Sequence, residues 1–319
     1  MCLIVDGQTH YIGKAENLAD LCAKLDVKIV GFDDPEYPEN LRGIPNPPAI
    51  LFVKGSTIPK DRLSIGVVGT RKASGAGKHI AAEISEELAR AGVTVVSGLA
   101  YGIDAAAHKG ALDGKGRTIA VLGHGLDIVY PKSNSHLYDT IPSNGALVSE
   151  YPPGVEPKPW HFPERNRLIA GMSLGLLVVE AGEKSGALIT ADWALKQGKP
   201  VMAVPGSVRS IACRGTNRLI QEGAYLVTCA EDVLSFLRQE NEYVPEVSGA
   251  IMGESLTPEE SIVLEAVGRG ESTDQISNSV TMPISRVIAI LSSLEVRGIV
   301  RLVPSGRYIL SNIGNTLIG

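Results

Sequence analysis

What most constrains this chain is a repeated alternation, from Leu63 to Arg238, of short β-branched apolar runs with amphipathic stretches. Short apolar runs that end in glycine or a polar turn read as buried strands, and the stretches between them recur with helical spacing. Units of this kind assemble into a parallel sheet with helices on its faces. The predicted strands are 64–68, 94–97, 118–122, 146–149, 176–180, 201–204 and 225–228. The predicted helices are 78–91, 105–112, 165–172, 187–197, 217–222 and 230–238. Ligands of such sheets sit beyond the carboxyl ends of the strands, so the loops there are where function is expected.

The flanks have other patterns. Residues 1–30 hold one short helical stretch, 17–24, and are expected to be a remnant or appendage of an incomplete helical domain. The main unit is expected over 31–240, beginning with a proline-rich extended segment whose apolar run at 50–53 reads as an edge strand. An acidic, aperiodic linker follows at 241–255. In the last unit, 256–319, Thr257-Pro-Glu-Glu260 has a capping-box start, a helix is predicted at 285–297, and strands at 299–303 and 307–310 flank Pro304-Ser-Gly306. Helix, helix, turn, helix and hairpin is the layout of a winged helix.

A hydrophobic content of 44% over 319 residues supports one large core and a smaller one. The net charge of −5 gives no global basic field, so contact with a polyanion must come from a local patch. Cys2, Cys22, Cys213 and Cys229 form no C-x-x-C pair and meet no histidine at zinc spacing, which argues against a disulfide framework or structural metal. There is no basic leader and no apolar run of about 18 residues, so a cytoplasmic protein without a membrane span or cofactor is expected.

The loop Gly69-Thr-Arg-Lys-Ala-Ser-Gly-Ala-Gly77 runs from a strand into a helix, where backbone amides and a helix N-terminus would converge on an anion. It is not G-x-G-x-x-G, and Ser97-Gly98 stands where a dinucleotide site needs an acid for the ribose; nor is there a G-K-[ST]. Alone it is also compatible with a plain structural turn. Repetition favours a groove for consecutive phosphates, because Ser97–Asp104, Gly123-His-Gly125 and Ser185–Thr190 end on the same sheet edge. Basic residues lie beside these loops: Arg71, Lys132, Lys158, Arg165 and Arg167, with Lys72, Lys78 and Lys184 read as solvated charge. Arg71 projects from the loop mouth, where a guanidinium calls for an anion. Trp160-His-Phe162 puts aromatic faces beside cations, as in sites that hold single strands without regard to sequence, a reading favoured over the alternative that the two aromatics are core anchors. The expected nucleic-acid-binding residues are Gly69, Thr70, Arg71, Ser97, Gly98, Lys132, Lys158, Phe162, Arg165, Asn166, Arg167, Ser185 and Gly186, with no catalytic or metal-binding residue.

Rival chemistries have less support. Asp104 and His108 at i,i+4 could exchange protons, but a capping aspartate and a packed histidine are the preferred reading. Ser185 lacks the G-x-S-x-G elbow and reads as a phosphate donor. Glu150 and Glu180 could pair for glycosidic chemistry, or bond structurally to Arg165-Asn-Arg167.

Several segments together resemble the bacterial DNA processing protein A (DprA or Smf) family. They are Tyr37-Pro38 with Pro47-Pro48, Val67-Val-Gly-Thr-Arg71, Val96–His108, Ile119–Pro131, Ser149–Gly154, His161–Gly171, Ser185–Ala191, Ala203–Gly206 and Gly215–Ala224, in order over most of residues 33–230. The resemblance implies a Rossmann-like domain that binds and protects single-stranded DNA, helps load the recombinase RecA in natural transformation, forms a homodimer and does no catalysis. It implies Arg71, Lys132 and Lys158 as backbone-binding cations and Phe162 as a base contact; the dimer edge is separately expected at 216–225. By that resemblance the family's N-terminal helical domain is expected to be mostly missing here, with only its last helix left. The winged helix carries five Lys/Arg against six Asp/Glu, so protein contact or self-association is expected of it, not a grip on duplex DNA. The alternative on the same fold is a nucleoside-monophosphate phosphoribohydrolase, whose P-G-G-x-G-T motif is broken here between Pro205-Gly206 and Gly215-Thr216. A transcription regulator would rest on the winged helix alone.

Overall fold

Six of the seven predicted strands are buried along their whole length, as expected for a sheet covered by helices on both faces. The computed structural model describes residues 2–5, 8–11, 15–241, 256–296, 299–302 and 308–310, and it divides into two units, 1–245 and 246–319.

The first unit opens with an antiparallel pair, β1 (Cys2–Val5) and β2 (Gln8–Tyr11), in which Cys2 faces Tyr11. Helix α1 (Ala15–Lys24), β3 (Lys28–Gly31), the single turn α2 (Glu39–Arg42) and β4 (Ile50–Gly55) follow. The alternation then runs β5 (Ser64–Val68), α3 (Gly75–Arg90), β6 (Thr94–Ser97), α4 (Ile103–Asp113) and β7 (Thr118–Leu122). Next are α5 (Ser135–Thr140), β8 (Gly145–Ser149), α6 (His161–Met172), β9 (Gly175–Val178) and α7 (Gly186–Lys196). The unit ends with β10 (Val201–Ala203), α8 (Arg214–Gln221), β11 (Tyr225–Leu226) and α9 (Ala230–Asn241).

One sheet has the order β11-β10-β9-β5-β6-β7-β8-β4-β3. The strands from β11 to β8 are mutually parallel; β4 is antiparallel to β8, and β3 to β4. This is an α/β, Rossmann-like fold with a mixed edge. One face packs on α6, α7 and the extended segment through Leu41, Leu168, Ile169 and Ala191, and the other on α3, α4 and α9 through Leu88, Ala107 and Leu237. The chain moves outward one way from β5 to β8 and the other way from β9 to β11. The carboxyl ends of β5 and β9 therefore flank the topological switch point, where such sheets open a crevice.

Several expectations need correction. The run at 50–53 is not an edge strand, because β3 pairs with it from Lys28↔Val53 to Gly31↔Ile50. Residues 15–31 are not an appendage: Leu18 and Cys22 pack with Phe52, Leu122 and Leu147 in one buried cluster. Strand β9 stops at Val178, which leaves Glu180 in a loop. Helix α6 starts at His161, four residues before the predicted 165, so Phe162 and Pro163 lie in its first turn. Proline is tolerated there because first-turn amides have no partner inside the helix.

In the second unit α10 (Pro258–Gly268), α11 (Thr273–Ser279) and α12 (Ile284–Val296) precede the antiparallel pair β12 (Val300–Leu302) and β13 (Tyr308–Leu310). Thr257–Glu260 and Ser272–Gln275 each form a capping box, so α10 and α11 begin where hydroxyl and carboxyl groups serve the unpaired first amides. Val263, Leu264, Ile276, Leu291 and Leu294 fill its core. The predicted turn at 304–306 and most of the predicted linker, 242–255, lie outside the described residues. Among the described residues no helix is long and apolar enough to cross a membrane.

Candidate nucleic-acid interface

A cleft of about 510 Å³ opens at the switch point, between the first turns of α6 and α7. Val68, Ile169 and Thr190, all buried, line its depth, and Arg71, Lys72 and Lys184, all exposed, stand at its mouth. The Arg71 guanidinium lies 5.2 Å from the centroid of the Phe162 ring. Phe162 stacks on Tyr130 at 5.7 Å and 30°, and Tyr130 meets His124 edge-on at 6.1 Å. Nearby in sequence, the Lys158 ammonium sits 5.4 Å from the Trp160 ring, which is 50% exposed and so is no core anchor. Both cations are within the range of attraction to a ring face. Arg71, Lys72, Lys132, Lys158 and Lys184 make no ion pair with a carboxylate among the described residues.

Close backbone approach shapes the mouth. Gly102 has φ +81°, and a Cβ on it would lie 2.3 Å from the Thr70 carbonyl oxygen and 2.8 Å from that of Arg71. The loop after β6 is thereby pressed against the residues that carry the arginine, a contact that needs glycine.

The helix N-terminus that the sequence offers as an anion site, at the start of α3, already holds an internal anion. Ser74 caps it by accepting from the Gly77 amide at 2.9 Å, and the buried Glu180 carboxylate accepts both the Ser74 amide at 3.0 Å and the Ser74 hydroxyl. The Glu180 backbone oxygen also accepts from the Thr70 amide at 2.7 Å. A carboxylate at a helix N-terminus is favoured by the same dipole that would favour phosphate. The start of α7 is different: Ser185 caps it through the Ala187 amide at 3.3 Å, and Ser185 and Gly186 line the cleft.

The cleft collects Gly69, Thr70, Arg71, Phe162, Arg165, Asn166, Ser185 and Gly186 from the predicted set. Gly98 lines an adjoining hollow of about 50 Å³, together with Arg71, Tyr130, Phe162 and Arg165. Ser97, Lys132, Lys158 and Arg167 line neither. The Ser97 hydroxyl is buried and donates to the Val67 oxygen at 2.6 Å, because its strand is covered on both faces. Arg167 turns away on α6 to pair with Glu150 and to donate to the Asn46 oxygen at 3.0 Å. Arg165 is 4% exposed and donates to the carbonyls of Gly98, at 2.9 Å, and Val121. Burial pushes its pKa down to about 10, with the Asp104 charge acting the other way. Burial raises that of Asp104, opposed by Arg165 and by the Ala100 and Gly98 amides. His108 is no proton shuttle: its Nδ1 meets the Thr118 hydroxyl at 2.7 Å, and burial lowers its pKa to about 3. Tyr130, which the predicted set omits, lines the cleft, as do Lys72 and Lys184, read from the sequence as solvated charge. The signal for Tyr130 was position, next to Pro131-Lys132 in the loop that leaves β7 on the same sheet edge. Among the described residues no three His, Cys, Asp or Glu side chains cluster as a metal site.

A family model for DNA recombination-mediator protein A matches residues 28–238. The chain belongs to this family. The DNA processing protein DprA of Bacillus subtilis is 43% identical over 216 residues, which are 67% of this chain and 73% of the relative. The X-ray structure of DprA from Streptococcus pneumoniae matches with a TM-score of 0.63 at 42% identity, covering 68% of this chain and 77% of that one. DprA from Helicobacter pylori, whose structure addresses its single-stranded DNA binding mode, matches with a TM-score of 0.61 at 29% identity, covering 68% of this chain and 97% of that one. Family membership agrees with the resemblance read from the motifs, and the matched span contains every element that builds the cleft.

Proposed function

We propose that this protein binds single-stranded DNA across the carboxyl edge of its sheet, with Arg71 on phosphate and Phe162 and Tyr130 stacking on bases. The observation that carries this reading is the cluster of Arg71, Phe162 and Tyr130 at the mouth of the switch-point cleft. A base adds to an exposed face of such a cluster, whatever its identity, at about 1–3 kcal/mol per stacked base. Lys72, Lys132, Lys158, Lys184, the Ser185 hydroxyl and the Gly186 amide extend the phosphate track on either side. The single-stranded DNA binding of the Helicobacter pylori relative supports the same assignment.

The protein works by binding, not by catalysis. Hydrolysis of a nucleotide's glycosidic bond uses a carboxylate facing the substrate. Here Asp104 is turned to Arg165 and backbone amides, Glu180 to the start of α3, and Glu150 to Arg167. In the cell the protein protects incoming DNA in the cytoplasm and helps load RecA during natural transformation, acting as a homodimer joined near 216–225. The terminal unit is a winged helix used for protein contact: Arg286 of α12 is paired with Glu259 at 2.7 Å, while Ile284 and Ile288 are 44% and 49% exposed.

Titration of labelled oligothymidine at several salt concentrations tests the site. Arg71→Ala is expected to weaken binding about tenfold and to lower the salt slope by about 0.7, the share of one phosphate on a single strand. Parent-like binding by this variant would remove the assignment.

A further inference from the structure

Arg165 lines the cleft, yet its bonding is that of a strut. Its Nη1 holds the carbonyls of Gly98 and Val121, just past β6 and at the end of β7, and its Nε lies 3.4 Å from the Asn166 side-chain oxygen. Gly98 lies against two buried groups of opposite charge: a Cβ there would be 2.6 Å from Arg165 Nη2 and 2.7 Å from Asp104 Oδ2. Asp104, 5% exposed in the first turn of α4, closes the other end of the loop. A phosphate on Arg165 would have to compete with these carbonyls and with Asp104.

The connections lead outward to the two groups placed on DNA. Arg165 is one helical turn from Phe162 on α6. The loop clamped between Arg165 and Asp104 contains Gly102, which lies against the carbonyls of Thr70 and Arg71. Resting on the single-stranded DNA reading above, we propose that Arg165, held by the Gly98 and Val121 carbonyls with the Asp104 carboxylate close by, is a positioning residue that fixes Arg71 and Phe162 relative to each other and makes no phosphate contact itself.

Salt slopes and a double-mutant cycle separate positioning from contact. In oligothymidine titrations Arg165→Met is expected to lower affinity at least tenfold, at about the parent's slope, because no phosphate contact is lost. Combined with Arg71→Ala, it should cost far less than it does alone, since its effect passes through Arg71. Asp104→Asn, which keeps the side chain's shape, should lower affinity with the same unchanged slope, and it decides the matter if Arg165→Met fails to fold by thermal melting. A slope reduced by about 0.7 in Arg165→Met marks direct phosphate contact and overturns the proposal. So does tighter binding by Asp104→Asn, which would mean that releasing the guanidinium adds a DNA contact, and so does parent-like binding by both. If Arg71→Ala itself binds like the parent, the DNA site falls, a result distinct from any of these.

Discussion

His108 is wholly buried on α4, and its Nδ1 faces the Thr118 hydroxyl, which in turn donates to the Val95 oxygen at 2.8 Å. The hydroxyl proton is thus committed, so the imidazole is the donor at Nδ1. Its Nε2 is buried without a hydrogen-bond partner among the described residues, so a proton there would carry a charge into an apolar interior beside Arg165. The group's pKa falls from an ordinary 6.5 to about 3 on folding. Between those values the unfolded chain binds a proton that the folded one refuses, so this contribution to stability falls as pH drops below about 6.5, with a limiting slope of about 1.4 kcal/mol per pH unit. Asp104, raised by burial, contributes with the opposite sign, so the comparison must be between parent and His108→Gln. Urea midpoints at neutral and mildly acidic pH should fall more steeply for the parent, and parallel curves would show that burial does not hold His108 neutral.

At the scale of elements, function is set by how two loops meet. Gly102 takes a backbone conformation that L side chains rarely adopt and lies against the backbone of Thr70 and Arg71. Gly102→Ala should cost about 1–3 kcal/mol in urea unfolding. It should also weaken oligothymidine binding at temperatures where the variant is fully folded, because Arg71 is displaced from Phe162; full affinity in the folded variant would uncouple the loops. The sequence showed which loops share the edge, since strand periodicity and glycine punctuation are local signals. It did not show which cations face the cleft. Arg165 and Arg167 lie two apart on α6, and helical rotation points one at the Gly98 loop and the other at Glu150. The occupied start of α3 was hidden for a different reason: its anion, Glu180, comes from the loop after β9, more than a hundred residues away. The four-residue strand β3 was missed because half of it is exposed and it gains its order from pairing with β4.

For the whole molecule, a net charge of −5 repels a polyanion at long range, so binding depends on the short reach of the cleft's cations. A single cleft of this size spans few nucleotides, and the proposed homodimer would double the track. The edge strand β11 presents Tyr225 and Leu226, 53% and 52% exposed, beside unpaired backbone groups, a surface that a second strand or chain would cover. A charge placed there should block association without touching the cleft. Leu226→Arg is therefore expected to sediment as a monomer while the parent sediments as a dimer. It should bind an oligothymidine of about ten nucleotides as the parent does, but lose on the order of ten- to a hundredfold in affinity for one long enough to engage two clefts, because the second contact is no longer intramolecular. A variant that stays dimeric would move the interface elsewhere, and one that binds the short oligonucleotide poorly would place this edge within reach of the DNA.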